Sequence, residues 1–139
     1  AADVCGHADA GATALREAKY AWAGQLRASG DRDQALKLYK ELASDVKTRE
    51  GSEAAYYVIE ALFESGDLDK TESEVFAFSD REPNAYGLAK AFLLLGDVYV
   101  RKGDTFQARA TYQSVADGYS PADDGIVDEA KERIAKLKN

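Results

Sequence analysis

The residues that could carry chemistry in this chain are few and far apart. His7 is the only histidine and lies in a stretch of small polar residues. A catalytic triad, a metal site or a histidine base would each need partners placed around it, and none is at hand in the sequence. Cys5 is the only cysteine, so no internal disulfide can form and the redox compartment stays open. Lipid attachment at Cys5 would need a small residue before it, and Val4 stands there. Asp123-Asp124-Gly125 with Asp128 and Glu129 is acidic but lacks the alternating ligands of a calcium loop. It reads as a helix cap. Gly87, Gly96 and Gly103 do not make a phosphate-binding loop; packing or capping of helices accounts for each. No cofactor, metal or catalytic residue is therefore expected, and an enzyme is not the reading.

The elements around these residues say more. A Gly-Asp pair recurs at Gly30-Asp31, Gly66-Asp67 and Gly103-Asp104, in steps of 36 and 37 residues. An apolar helical run precedes each pair and an amphipathic run follows it. A helix of about 14 residues rises about 21 Å at 1.5 Å per residue. Glycine ends it by taking the left-handed conformation at little cost, and the following Asp can accept from the amides that open the next helix. A period of this length predicts stacked helical hairpins, none able to bury its apolar face alone.

The third copy is the clearest: Leu95-Gly96, Tyr99, Gly103-Asp104, Ala108, Tyr112 and Pro121. The first reads Trp22, Ala23, Leu26, Gly30, Ala35, Tyr39 and Leu42. The second reads Val58, Ile59, Leu62, Gly66, Thr71, Val75 and Phe78, with Ile59 and Thr71 where small residues are wanted. A splayed or less tightly packed second hairpin is expected. Over roughly residues 14 to 121 this pattern resembles the tetratricopeptide repeat (TPR) family. The GDTFQARATYQSVADGY segment and the charged helix after it also resemble bacterial cell-envelope TPR proteins. That likeness implies a periplasmic or envelope location, with the cytoplasm as the alternative.

The expected fold is all-α: a superhelical array of three repeats (about 14–50, 51–87 and 88–121) with a C-terminal capping helix in 122–139. Residues 1–12 read as a flexible lead-in or the frayed end of the first helix. Helices are expected at about Ala12–Ser29, Arg32–Lys47, Ser52–Ser65, Leu68–Ser79, to Lys102, Thr105–Gly118 and to Leu137. Ser52 is the expected cap of the third, residues 80–84 the longest inner loop, and Asp123 and Asp124 the cap of the last. In that last helix Val127, Ala130, Ile134 and Leu137 form an apolar stripe opposite a charged face. It either closes the array or opens a further repeat. The chain lacks Met altogether, and a processed chain or a piece of a longer protein is the expectation.

Net charge is −7, with 25 acidic and 18 basic residues, which makes nucleic acid and anionic membrane poor partners. No apolar run approaches the roughly 20 residues of a membrane span, so membrane insertion is not expected. The resemblance implies a non-catalytic adaptor that takes a protein or peptide in the concave groove lined by the first helix of each hairpin. The repeat frame places Glu17, Tyr20, Gly24 and Arg27 there, then Glu53, Tyr56, Tyr57, Glu60, Phe63 and Glu64, then Lys90, Leu93, Leu94, Asp97, Val100 and Arg101. Tyr20, Tyr57 and Leu94 serve equally well as packing between repeats. The family's chaperone-binding members grip a C-terminal carboxylate with Lys and Asn on these helices. Here Tyr20, Gly24, Tyr57 and Leu94 stand in those places and only Lys90 agrees, so that clamp is not expected. The alternative function is structural: self-association through the open edges of the array, as a segment of a longer repeat protein.

Overall fold

The computed structural model describes residues 2–121 and 123–137, with side chains from residue 10 onward. Its helices are α1 (Ala2–Ala28), α2 (Arg32–Leu42), α3 (Arg49–Glu64), α4 (Leu68–Asp80), α5 (Ala85–Arg101), α6 (Thr105–Gly118) and α7 (Ile126–Lys136), and no strand occurs among the described residues. The fold is an all-α, TPR-like helical repeat array.

The three Gly-Asp turns are built alike. Gly30, Gly66 and Gly103 have φ of 92°, 90° and 80°, where a side chain would be strained. The amide of each glycine donates back to its helix, to Arg27, Phe63 and Val100 respectively. The carboxylates of Asp31, Asp67 and Asp104 then accept from the amides of Gln34, Lys70 and Gln107 at 3.3, 3.1 and 3.0 Å. One dipeptide thus ends one helix and starts the next.

Packing follows chain order. α1 lies on α2, α3 on α4 and α5 on α6, and each second helix packs on the first helix of the next hairpin. The first helices α1, α3, α5 and α7 form a row, whereas α2, α4 and α6 do not pack on one another. Ala35 and Ala108 are 2% and 0% exposed, at the tight crossings the repeat frame assigns to them. Gly96 is a closer approach still, since a methyl there would lie 2.2 Å from the Tyr112 ring. The second hairpin has the loosest contact between its own two helices, and α3 packs more heavily on α5 than on α4. Thr71 is nonetheless fully buried, its hydroxyl donating to the Asp67 carbonyl at 2.7 Å.

Several boundaries differ from expectation. α1 starts at Ala2, so most of the expected lead-in is helical; Ala1 and the side chains of Cys5 and His7 lie outside what is described. α2 stops at Leu42 because Asp45 and Thr48 capture local backbone groups: Asp45 accepts from the Lys47 amide, and Thr48 donates to the Asp45 carbonyl. Thr48, not Ser52, caps α3, accepting from the Gly51 amide at 2.9 Å. Ser52 is buried within α3, and its hydroxyl accepts from the Gly87 amide of α5 at 3.1 Å. The connection over 43–48 is therefore longer than the one at 81–84. Before α7, Gly125 turns the chain at φ 85° and Asp124 accepts from the Ile126 amide at 3.1 Å.

α7 packs on α6 and α5. Ile126 and Ala130 are buried, with Ile134 and Leu137 packed beside them, so the stripe is turned one residue from Val127 towards Ile126. The helix stands where the first helix of a fourth hairpin would stand. Two cores result: one around α1, α2 and the adjoining face of α3, the other from Val46 through α7.

The glycines give a test with opposite signs. Gly96→Ala should destabilise the protein by about 1–3 kcal/mol, because the added methyl must displace the Tyr112 ring. Gly24→Ala has nothing within 4 Å and should stabilise α1 by up to about 1 kcal/mol. Urea denaturation followed by circular dichroism measures both, and equal effects would contradict the close packing at Gly96.

Candidate protein-binding groove

The row of first helices brings the sequence-distant groove residues onto one side, and most of them find each other. Glu53, on α3, is 3% exposed. Its carboxylate accepts from the Tyr20 hydroxyl of α1 on one side and from the Lys90 ammonium of α5, at 2.5 Å, on the other. A carboxylate this deeply buried needs both partners to offset its desolvation. The chain Tyr20–Glu53–Lys90 therefore crosses three hairpins. Arg16 meets Glu50 at 3.0 Å and Arg27 meets Glu60 at 3.3 Å, again from α1 to α3. Glu60 also accepts from the Tyr56 hydroxyl at 2.8 Å. On α5, Asp97 accepts from the Tyr112 hydroxyl and from Arg133 of α7 at 2.8 Å.

Cations lie over aromatic faces along the same row. The Arg27 guanidinium is 4.4 Å from the Tyr57 ring centre, and Arg101 is 4.1 Å from that of Phe63. Lys90 sits 4.9, 5.0 and 5.3 Å from the rings of Tyr56, Tyr57 and Tyr86. Such contacts order both partners. Tyr57 lies between Tyr39 and Tyr56, its ring tilted against both, with ring centres 4.7 and 5.2 Å away.

The expected groove residues thus sort into three kinds. Glu17, Arg27 and Arg101 are exposed; Tyr20, Tyr56, Glu60, Lys90 and Asp97 are half-buried and already paired. Glu53 and Phe63 are buried, which corrects their reading as surface contacts. Phe63 belongs to the core, with Arg101 laid over it, and Glu53 is an internal link. Leu93 and Leu94 are likewise core residues. Tyr86 and Arg133 are absent from the expected set; with Tyr56, Lys90, Leu93 and Glu129 they line a hollow of about 310 Å³ between α3, α5 and α7. A second hollow, of about 320 Å³, opens beside Tyr20, Gly24, Arg27 and Tyr57. The signal for the missed pairs was in the sequence. Tyr20–Glu53, Arg27–Glu60, Glu53–Lys90 and Asp97–Arg133 are 33, 33, 37 and 36 residues apart, one repeat each.

Burial shifts the titration of these groups. It pushes the Tyr57 hydroxyl up to about 12, with the Glu53 charge adding to the effect, and it raises Tyr56 further, helped by Glu60. Asp97 is held above the usual carboxylate range by burial, against the pull of Tyr112 and Arg133. Among the described residues no helix is long and apolar enough to cross a membrane, and no group of acidic, Cys or His side chains is placed to hold a metal.

The tetratricopeptide repeat model matches residues 90–120, the segment that runs from Lys90 through α6. No curated protein matches the chain.

The tyrosines give a pH test. A native pKa raised above the unfolded value of 10 stabilises the fold below pH 10, and that stability is lost as pH rises towards 12. The urea midpoint should fall across this window, with tyrosinate absorbance at 295 nm appearing together with loss of helix. Tyr56→Phe with Tyr57→Phe should flatten the slope. Ionisation near pH 10 with the helix intact would contradict the buried placement.

Proposed function

We propose that this chain, whose third hairpin is a tetratricopeptide repeat and whose fold is a TPR-like helical array, is a non-catalytic adaptor that holds an extended polypeptide along its row of first helices. The family is a protein-interaction repeat in general, and that much applies here. The finer reading rests on one observation: the two hollows lined by tyrosines and cations on either side of the Tyr20–Glu53–Lys90 link. A small-molecule site would be a single enclosed pocket. Here two open hollows share α3 as a wall, with Tyr57 in one and Tyr56 in the other. An extended polypeptide with apolar or aromatic anchors reaches both, its backbone passing over the buried link.

Lys90 is not free to receive a terminal carboxylate, because Glu53 holds it. Anchoring thus falls to the half-buried rings of Tyr56 and Tyr86, while exposed Arg27 and Arg101 tune approach and selectivity.

The test uses a partner recovered from native extract on the immobilised chain, titrated by fluorescence anisotropy. Tyr56→Ala with Tyr86→Ala should weaken binding by about 2 kcal/mol or more, roughly 30-fold. Arg27→Ala with Arg101→Ala should cost less and reduce the dependence on salt. Circular dichroism establishes that each variant is folded. Binding that survives loss of both tyrosines would move the site away from this row.

A further inference from the structure

Two surfaces remain after the cores and the groove are accounted for, and both are free of charge. The first is the outer face of α1. Leu15, Ala18, Trp22 and Gln25 recur three and four residues apart and are all exposed, Leu15 by 57% and Trp22 by 54%. Trp22 stands where Leu95 stands in the third repeat, eight residues before the turn glycine. Leu95 is 2% exposed because α4 of the preceding hairpin packs on α5. No described helix packs on the corresponding side of α1. The result is an apolar ridge.

The second surface is a trough. α4 and α6 do not pack on each other, so α5 is open between them. Phe76 and Phe106 form its walls, 45% and 83% exposed, and Leu88 and Phe92 lie on its floor. Its two connected parts hold about 390 and 250 Å³. No lining residue is charged, in a chain whose residues are 31% charged. Phe106 borders this trough and lies outside both cores.

We propose that the α1 ridge of one copy seats in the α4–α6 trough of a second copy. Shape and length agree. Leu15 and Trp22 lie seven residues apart, about 10.5 Å along a helix, and the trough follows α5 from Leu88 to Tyr99, about 16 Å. Charge agrees as well. Each copy carries −7, and these two surfaces can meet without bringing like charges into contact or burying a charge. The other open end does not compete: the outer side of α7 presents exposed Asp128, Lys131, Glu132 and Lys136. Ridge-in-trough contact is heterologous, so it propagates into chains or closes into a ring. The surfaces are of the small, weak class, with association at roughly micromolar to millimolar concentration.

The test exploits Trp22 as the only tryptophan. Sedimentation equilibrium and tryptophan emission are followed from about 10 µM to about 1 mM. Mass should rise and emission should shift to the blue together. Trp22→Glu breaks the ridge and Phe106→Glu breaks the trough, and each variant alone should remain monomeric. Mixed, they should form a 1:1 dimer and grow no further, because one intact ridge meets one intact trough. Emission from the Phe106→Glu chain should then move to the blue as the tryptophan-free variant is added. Circular dichroism confirms that both variants are folded. A wild-type chain monomeric to the top of the range overturns the proposal. So does a Phe106→Glu chain that associates alone, which would mean ridge against ridge, a Trp22→Glu chain that does so, which would mean trough against trough, or a mixture that stays monomeric.

Discussion

A pair of antiparallel helices is too thin to enclose a core, and every other feature of this molecule follows from that limit. Each hairpin leaves one apolar flank open and must lay it on a neighbour. The first helix of one hairpin is therefore packed on by the second helix of the hairpin before it, and the cores run along the array instead of gathering at a centre. The small residues at Ala35, Gly96 and Ala108 set how closely neighbours approach. Stability in such an array is a sum of local terms, so the loosely joined second hairpin depends on α5 for much of its contact.

The same one-repeat displacement organises the polar groups. Stacking puts residue i beside the residue one period later, and the sequence places opposite charges or a hydroxyl and a carboxylate at that interval. Glu53 is the extreme case: it is buried, with the Lys90 ammonium from α5 paired to one side of its carboxylate and the Tyr20 hydroxyl from α1 donating to the other. This internal pairing stiffens the row of first helices and leaves the tyrosine rings between them as the surface still available for contact. A row that is already organised costs little to order when a ligand arrives.

The turns were legible because their chemistry is local: Gly-Asp carries both the left-handed residue and the acceptor for the next helix. The start of α3 was not, since Ser52 offers the same hydroxyl as Thr48 for a cap and only the approach of Gly87 from the next hairpin shows where it is used. The repeat frame grouped Tyr56 and Phe63 on one side of α3. It did not separate Tyr56, half-buried beside a hollow, from Phe63, about two turns further along α3 but sunk in the core. That difference depends on Arg101 lying over the Phe63 ring, a contact between neighbouring hairpins. Trp22 fits the repeat pattern as a core residue and is exposed for the converse reason, the lack of a packed neighbour on its side.

The two long edges of the array are fastened differently. At the loop edge, backbone groups join the hairpins: the Asn84 amide donates to the Val46 carbonyl at 2.8 Å, and Lys47 and Arg81 donate across to carbonyls of the opposite loop. At the turn edge the joints are ion pairs at the surface, Arg32 with Glu64 and Lys102 with Asp69 and Glu72. Dissolved ions weaken the charged joints at both edges, Lys47 with Glu82 among them, and leave the Asn84–Val46 backbone bond untouched. At high salt the two loops therefore keep one joint that ionic strength does not reach.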